Sequence, residues 1–215
     1  LEGFYVALYD ENNELIGDKF TDNTLTVARK QVRKLGTLAT GFSDRYYVKV
    51  DGTGDGSSWD NAGSWATLVA KLKETNNELN VYMAGGEYLT TSVASIPNTM
   101  TSANVKIYAG FPSTATGYTI SGRDYENNPT VLNAEEKDRI LVIQRGAWVL
   151  DGLKKKNAKR TSNDIGSALM IEGNASSSFA VKNCTFDSNQ NTGTSGGGAV
   201  RVSNAKVLME NCKFT

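Results

Sequence analysis

The chain has 215 residues, with 23 Lys+Arg against 23 Asp+Glu, two Cys and no His. Balanced charge removes the usual electrostatic footprint of a nucleic-acid binder. The lack of His rules out Ser-His-Asp and Cys-His catalysis, imidazole proton shuttles and His-ligated metals within the chain.

Two Cys make neither a four-cysteine zinc site nor a disulfide-dense framework. No apolar run approaches the roughly 20 residues of a membrane helix, so no membrane-spanning segment is expected. The chain begins at Leu1 without a basic-then-apolar leader, which suggests a removed signal peptide or an excised fragment.

Residues 1–42 read as short strands: Phe4 to Tyr9, a turn at Asp10-Glu11-Asn12-Asn13, then Leu15 to Phe20. Thr21-Asp22-Asn23 reads as another turn, and Thr24–Val27 with Val32–Leu38 completes a meander. Few large apolar groups are present, so the segment makes a poor independent core. It is expected to be the last strands of an antiparallel β-sandwich. Gly3-Phe4-Tyr5-Val6-Ala7-Leu8-Tyr9-Asp10, with Leu25-Thr26-Val27 and Val32–Gly36, resembles the C-terminal part of fimbrillin-like domains of bacterial surface proteins.

Gly41–Arg45 is the expected boundary, followed by a strand at Tyr46–Val50 and a loop, Asp51-Gly52-Thr53-Gly54-Asp55-Gly56. As a calcium loop it fails, because the closing carboxylate position is Ala62. As a phosphate loop it lacks the Lys-Ser/Thr signature and a βαβ setting. Trp65, Leu68, Val69 and Leu72 recur at helical spacing, which predicts one amphipathic helix over 62–75. The loop and helix are expected to cap an apolar core, with Trp59, Trp65 and Leu68 as plugs.

After residue 80 come short apolar runs between Ser, Gly, Asn and Thr turns, too short for helices. Two stretches repeat. Val181-Lys182-Asn183-Cys184-Thr185-Phe186 matches Met209-Glu210-Asn211-Cys212-Lys213-Phe214, and Gly166–Ile171 matches Gly197–Val202. Val149-Leu150-Asp151-Gly152 is a weaker copy that sets Asp151 32 residues (183 − 151) before Asn183. A strand repeat near 30 residues predicts a solenoid of parallel strands with like residues stacked, Asn183 with Asn211 and Phe186 with Phe214. In that stack Cys184 and Cys212 are read as buried thiols, a disulfide being the alternative.

Tyr46-Tyr47-Val48, the Gly52–Ala62 loop, the helix, Val81–Tyr88 and the two Asn-Cys-x-Phe runs then resemble the right-handed parallel β-helix of the pectin-lyase-like superfamily, over residues 43–215. The expected fold is therefore all-β: a parallel β-helix of four to five turns with one N-terminal capping helix, after a short sandwich remnant. The run ending at Phe214–Thr215 has no cap, so the coil is expected to be truncated there. Its open last turn invites end-to-end self-association.

Lyases on this fold pair calcium-binding carboxylates with a basic residue, and hydrolases cluster Asp. Here Asp151, Glu172, Asp187 and Glu210 do not recur at one position, and Glu210 aligns with Lys182 as a ladder pair. No catalytic residue, metal ligand or cofactor is assigned. Lys154-Lys155-Lys156-Asn157-Ala158-Lys159-Arg160 reads as an outward, solvated loop, an anionic-glycan contact being the alternative.

The long segment 112–130 carries Tyr118, Arg123, Asp124 and Tyr125, whose rings and planar polar groups suit carbohydrate binding. The resemblances imply a secreted or outer-surface bacterial protein, read as a non-enzymatic module for adhesion or glycan contact whose expected partner is a polysaccharide or host surface glycan. The alternatives are a fragment of a polysaccharide lyase with its catalytic turns elsewhere, and a structural stalk.

Overall fold

The computed structural model describes residues 2–9, 15–24, 44–90, 92–117, 120–161, 166–193 and 198–215. The chain divides into two compact units, Leu1–Arg45 and Tyr46–Thr215.

In the first unit, β1 (Glu2–Tyr9) pairs antiparallel with β2 (Leu15–Thr24). What is described there is a two-stranded ribbon rather than a sandwich. β2 also runs through Thr21-Asp22-Asn23, where a turn was expected. A register shift between Glu2 and Phe4 absorbs the extra residue, so the strand bends without breaking. Residues 25–43, with the strand expected at Val32–Leu38, lie outside the described residues.

The second unit opens with β3 (Asp44–Val48), the Gly-rich loop and α1 (Trp65–Glu74). The helix starts later than the 62–75 expectation because Ser64 is its N-cap. The Ser64 Oγ accepts from the Thr67 amide at 3.2 Å, and the Ser64 amide donates to Thr67 Oγ1 at 2.8 Å. This reciprocal pair satisfies two otherwise orphaned groups. Trp65, Leu68 and Leu72 are buried in the main core.

The strands then recur in the same order. First come β4 (Glu78–Ala84), β5 (Gly86–Leu89) and β6 (Ala94–Ile96). β7 (Asn104–Phe111), β8 (Thr130–Asn133) and β9 (Leu141–Ile143) form a second pass. The third is β10 (Ala147–Asp151), β11 (Leu153–Lys156), β12 (Lys159–Arg160) and β13 (Leu169–Glu172). The fourth is β14 (Ser178–Lys182), β15 (Thr185–Asp187), β16 (Gln190–Asn191) and β17 (Val200–Ser203). β18 (Lys206–Glu210) and β19 (Lys213–Phe214) follow.

Three main sheets result: β18-β14-β10-β7-β4-β3, β19-β15-β11-β8-β5 and β17-β13-β9-β6. Their registered pairs are parallel. Among the described residues the unit is mostly β with one α-helix, and its parallel sheets are compatible with a parallel β-helix.

Val81, Ile107, Leu150 and Val181 stack in register as one buried row. The steps between them are 26, 43 and 31 residues (107 − 81, 150 − 107, 181 − 150), and Val181 to Met209 is 28. The repeat near 30 is thus a property of the later passes. The long step holds residues 112–129. Each buried aliphatic in such a row is worth about 1.5–3 kcal/mol.

The Asn183–Asn211 stack is present: Asn211 Nδ2 donates to Asn183 Oδ1 at 3.3 Å. Phe186 and Phe214 stack with centroids 4.9 Å apart. Asp151, however, is in register with Lys182, and Gly152 precedes Asn183 at the turn. Asp151 still joins the Asn row, because Asn183 Nδ2 reaches Asp151 Oδ1 at 2.7 Å.

Trp59 is not a plug on the main core. It belongs to a second cluster with Tyr47, Ala62, Tyr82, Ala84 and Phe111. Strand alternation is the reason: Tyr46 and Val48 join the main core, so Tyr47 faces the other way. Tyr47, Tyr82 and Tyr108 form a ring ladder at 5.3 and 6.1 Å, and Trp59 packs on Tyr47 at 5.1 Å.

Candidate functional site

The segment after β7 lies against the strands because two glycines let it approach. Gly110 has φ +95°, and a Cβ there would meet the Tyr125 Cα at 2.5 Å. Gly152 has φ +82°, and a Cβ there would come within 3.1 Å of Arg123 Nη1 and of the Tyr125 Cβ. The Asp124 amide donates to the Gly110 carbonyl at 2.8 Å.

Arg123 pins this lip. Its Nη2 donates to Asp151 Oδ2 at 2.6 Å, with both side chains largely buried. Nη1 donates to the Ala109 and Asp151 carbonyls, each at 3.2 Å. The guanidinium sits 5.7 Å from the Tyr108 ring centre and 5.6 Å from that of Tyr125. Asp124 is occupied by its own loop, accepting from the amides of Glu126 and Asn127 and from Asn127 Nδ2. Those bonds, Asn127's foremost, hold its carboxyl below the ordinary value.

Beside the lip runs an open groove of about 860 Å³. Tyr125, Glu126 and Pro129 line it. The floor is a registered row, Val131, Lys154, Thr185 and Lys213, one residue from each successive strand. Asn183 and Asn211 edge it at the turn. Lys154 Nζ lies 2.8 Å from Asp187 Oδ2, and this contact, with Ser188, lowers the Asp187 pKa.

Of the four residues singled out for carbohydrate contact, Tyr125 alone lines this groove. Arg123 is spent on the pin and Asp124 on its loop, while Tyr118 lies outside the described residues.

The basic run is not an outward loop. It forms β11 and β12, because Leu153 and Lys155 face inward and Ala158 is buried beside them. Its cations meet carboxylates brought by other passes: Lys156–Glu87 at 3.0 Å, Lys159–Glu136 at 2.8 Å and Arg160–Asp138 at 2.5 Å. With Lys154 held by Asp187, most of the run's positive field is neutralised where it arises. The sequence carried no local signal for this, since Glu87 lies 69 residues from Lys156.

Reading the sequence also missed Lys155, which is fully buried in register between Leu132 and Phe186. Its Nζ has no hydrogen-bond partner and lies 5.1 Å from the Phe186 ring centre. Burial lowers its pKa. Cys184 and Cys212 are free thiols. Cys184 is buried, which raises its pKa, and its Sγ lies 3.6 Å from the Leu150 carbonyl.

The remaining carboxylates considered for chemistry are each engaged with a neighbour, Glu172 with Gln144 Nε2 at 2.9 Å and Glu210 with Lys182 Nζ at 2.9 Å. The Gly-rich loop closes on itself, with Asp55 accepting from Asn61 Nδ2 at 2.6 Å and from the Ser57 amide at 2.9 Å. Among the described residues, no three His, Cys, Asp or Glu gather as a metal site. No described helix is long and apolar enough to cross a membrane.

Compared with known proteins, the chain matches no family model, no curated protein and no solved structure.

Proposed function

We propose that residues 46–215 form a right-handed parallel β-helix of the pectin-lyase-like kind. On this reading the protein is a secreted or cell-surface module that holds a glycan, without cleaving it, in the groove beside Tyr125. The observation that carries the proposal is the groove itself, an open polar trough lined in part by an aromatic side chain. Its floor repeats a side chain at every strand, and adjacent strands lie about 4.8 Å apart. That step is close to the length of one sugar unit in an extended chain. Tyr rings stack on pyranose faces, while Asn and Thr reach hydroxyls.

The non-catalytic part of the reading draws on Asp187. Lys154 and Ser188 lower its pKa, which does not suit it to the role of general acid, and Glu126 is the other carboxylate lining the groove.

The test is calorimetric titration of the chain with neutral and acidic polysaccharides. Binding that falls about tenfold in Tyr125→Ala, with unchanged circular dichroism, supports the proposal. Absence of binding to every class overturns it, and release of unsaturated ends from an acidic polysaccharide replaces it with lyase activity.

A further inference from the structure

A recess of about 470 Å³ lies between the Gly-rich loop after β3, the β4–β5 turn at Ala84-Gly85 and Ser113 of the lip. It shares no lining residue with the groove beside Tyr125. Its volume falls in the roughly 300–1,000 Å³ range of small-molecule sites.

Its loop wall is held by the fold itself. The Gly52, Gly54 and Gly56 amides donate to the Lys49, Ala62 and Asn61 carbonyls at 3.1, 2.9 and 2.8 Å. A Cβ on Gly52 would overlap the Gly63 carbonyl oxygen, and one on Gly54 the Asn61 Oδ1, so glycine lets the two arms of the loop lie this close. Trp59 Nε1 donates to the Gly117 carbonyl at 2.8 Å, which ties the loop to the lip.

Charges that line this recess are not matched by the protein. Lys49 Nζ sits 5.9 Å from the Trp59 ring centre and forms no ion pair among the described residues. The Asp51 and Asp60 carboxylates line the same recess, and among the described residues they accept no hydrogen bond and meet no cation. Elsewhere the coil pairs such groups, as Lys106 with Glu78 at 3.1 Å and Lys182 with Glu210 at 2.9 Å. Opposite charges that share one recess without touching leave room for a molecule that carries both.

We infer that the recess binds a small zwitterion, a free α-amino acid whose carboxylate faces Lys49 and whose ammonium faces Asp51 and Asp60. The Thr53 amide has no acceptor among the described residues, and Thr53 lines the recess beside Lys49. The Thr53 and Ser113 hydroxyls add donors. Hydrogen bonds to ionised groups are roughly twice as strong as neutral ones. The same charges set selectivity: a simple amine meets Lys49 as a like charge, and a simple acid meets two aspartates.

Titration of the whole 215-residue chain with L-serine, followed by calorimetry and by tryptophan emission, tests the inference. Serine should bind. Ethanolamine and 3-hydroxypropanoate, which are serine without its carboxylate or without its ammonium, should bind about tenfold more weakly or worse. Lys49→Met and Asp60→Asn should each weaken serine by about tenfold, and Lys49→Arg should stay close to the parent. Lys49→Met should also bind ethanolamine more tightly than the parent does, a gain that damage to the loop could not produce. Circular dichroism checks that each variant is folded. No binding of serine, half-ligands that bind as well as serine, or a Lys49→Met protein with unchanged preferences overturns the inference.

Discussion

At the residue scale, Lys155 is a fully buried amine whose desolvation opposes folding. An amine enclosed by Leu132, Phe186 and the Cys184–Cys212 stack loses its hydration and gains no hydrogen bond. The Phe186 ring face compensates in part. Burial is the main cause of the lowered pKa, and the two thiols oppose it weakly. The sign of the linkage follows. Between the lowered folded value and the ordinary 10.5, the unfolded chain holds a proton that the folded chain does not. Stability therefore rises with pH through that window and is flat above it. Lys155→Met, of similar length and without charge, should remove this slope and add about 1–3 kcal/mol near neutral pH. Urea unfolding at a series of pH values checks both. Equal slopes in the two proteins would show that Lys155 stays charged in the fold.

The turn asparagines are the second prediction at this scale. Asn183 and Asn211 have φ +52° and +51°, where asparagine is tolerated better than most side chains. Asn183 also bonds Asp151 below and Asn211 above. Asn183→Ala should cost about 2–3 kcal/mol by adding left-handed strain and removing both bonds. Asn183→Gly should cost about half as much, since the strain is absent. Thermal melts of the two variants give the comparison.

At the element scale, the lip and α1 show two kinds of anchor. α1 rests on local chemistry, and Ser64→Ala should cost about 1 kcal/mol by removing the cap. The lip rests on Arg123, which joins β7, β10 and the segment between β7 and β8. Arg123→Ala leaves Asp151 buried without its cation and should cost about 3–5 kcal/mol. Hydrogen exchange should then speed up across residues 120–129, while β14 and β15 stay protected. Uniform deprotection would mean that Arg123 supports the whole stack and not the lip alone.

The same contrast explains what could be read from the chain. Ser64, Trp65, Leu68 and Leu72 lie within nine residues, so the helix was visible. Val181–Phe186 and Met209–Phe214 repeat at a step of 28, so the last strands were visible as a stack. Arg123 and Asp151 lie 28 residues apart without any repeat between them. Their pairing depends on Gly110 and Gly152 bringing the lip close, which no local pattern encodes. For the same reason Tyr125 is read together with Arg123 and Asp124, although of the three it alone lines the groove.

At the scale of the whole molecule, zero net charge conceals a dense lattice of ion pairs between passes. The cations of β11 and β12 face Glu87, Glu136, Asp138 and Asp187. Asn133 and Lys156 lower the Glu87 pKa, Lys159 lowers that of Glu136, and Lys154 and Ser188 lower that of Asp187. Groups with depressed folded pKa values stabilise above the ordinary carboxylate range, and the contribution fades as pH falls through the depressed values. These carboxylates are exposed or partly exposed, so each contributes little and salt screens it. Because they bind one pass to the next, their joint protonation should loosen β11, β12 and β15 before the apolar rows fail. Acid titration followed by thermal melts should show stability steady at neutral pH and falling below the ordinary carboxylate values of 3.8 to 4.5. Added salt should narrow the difference between neutral and acid melts. An acid fall that salt leaves unchanged would show that these screened pairs do not set the acid limit.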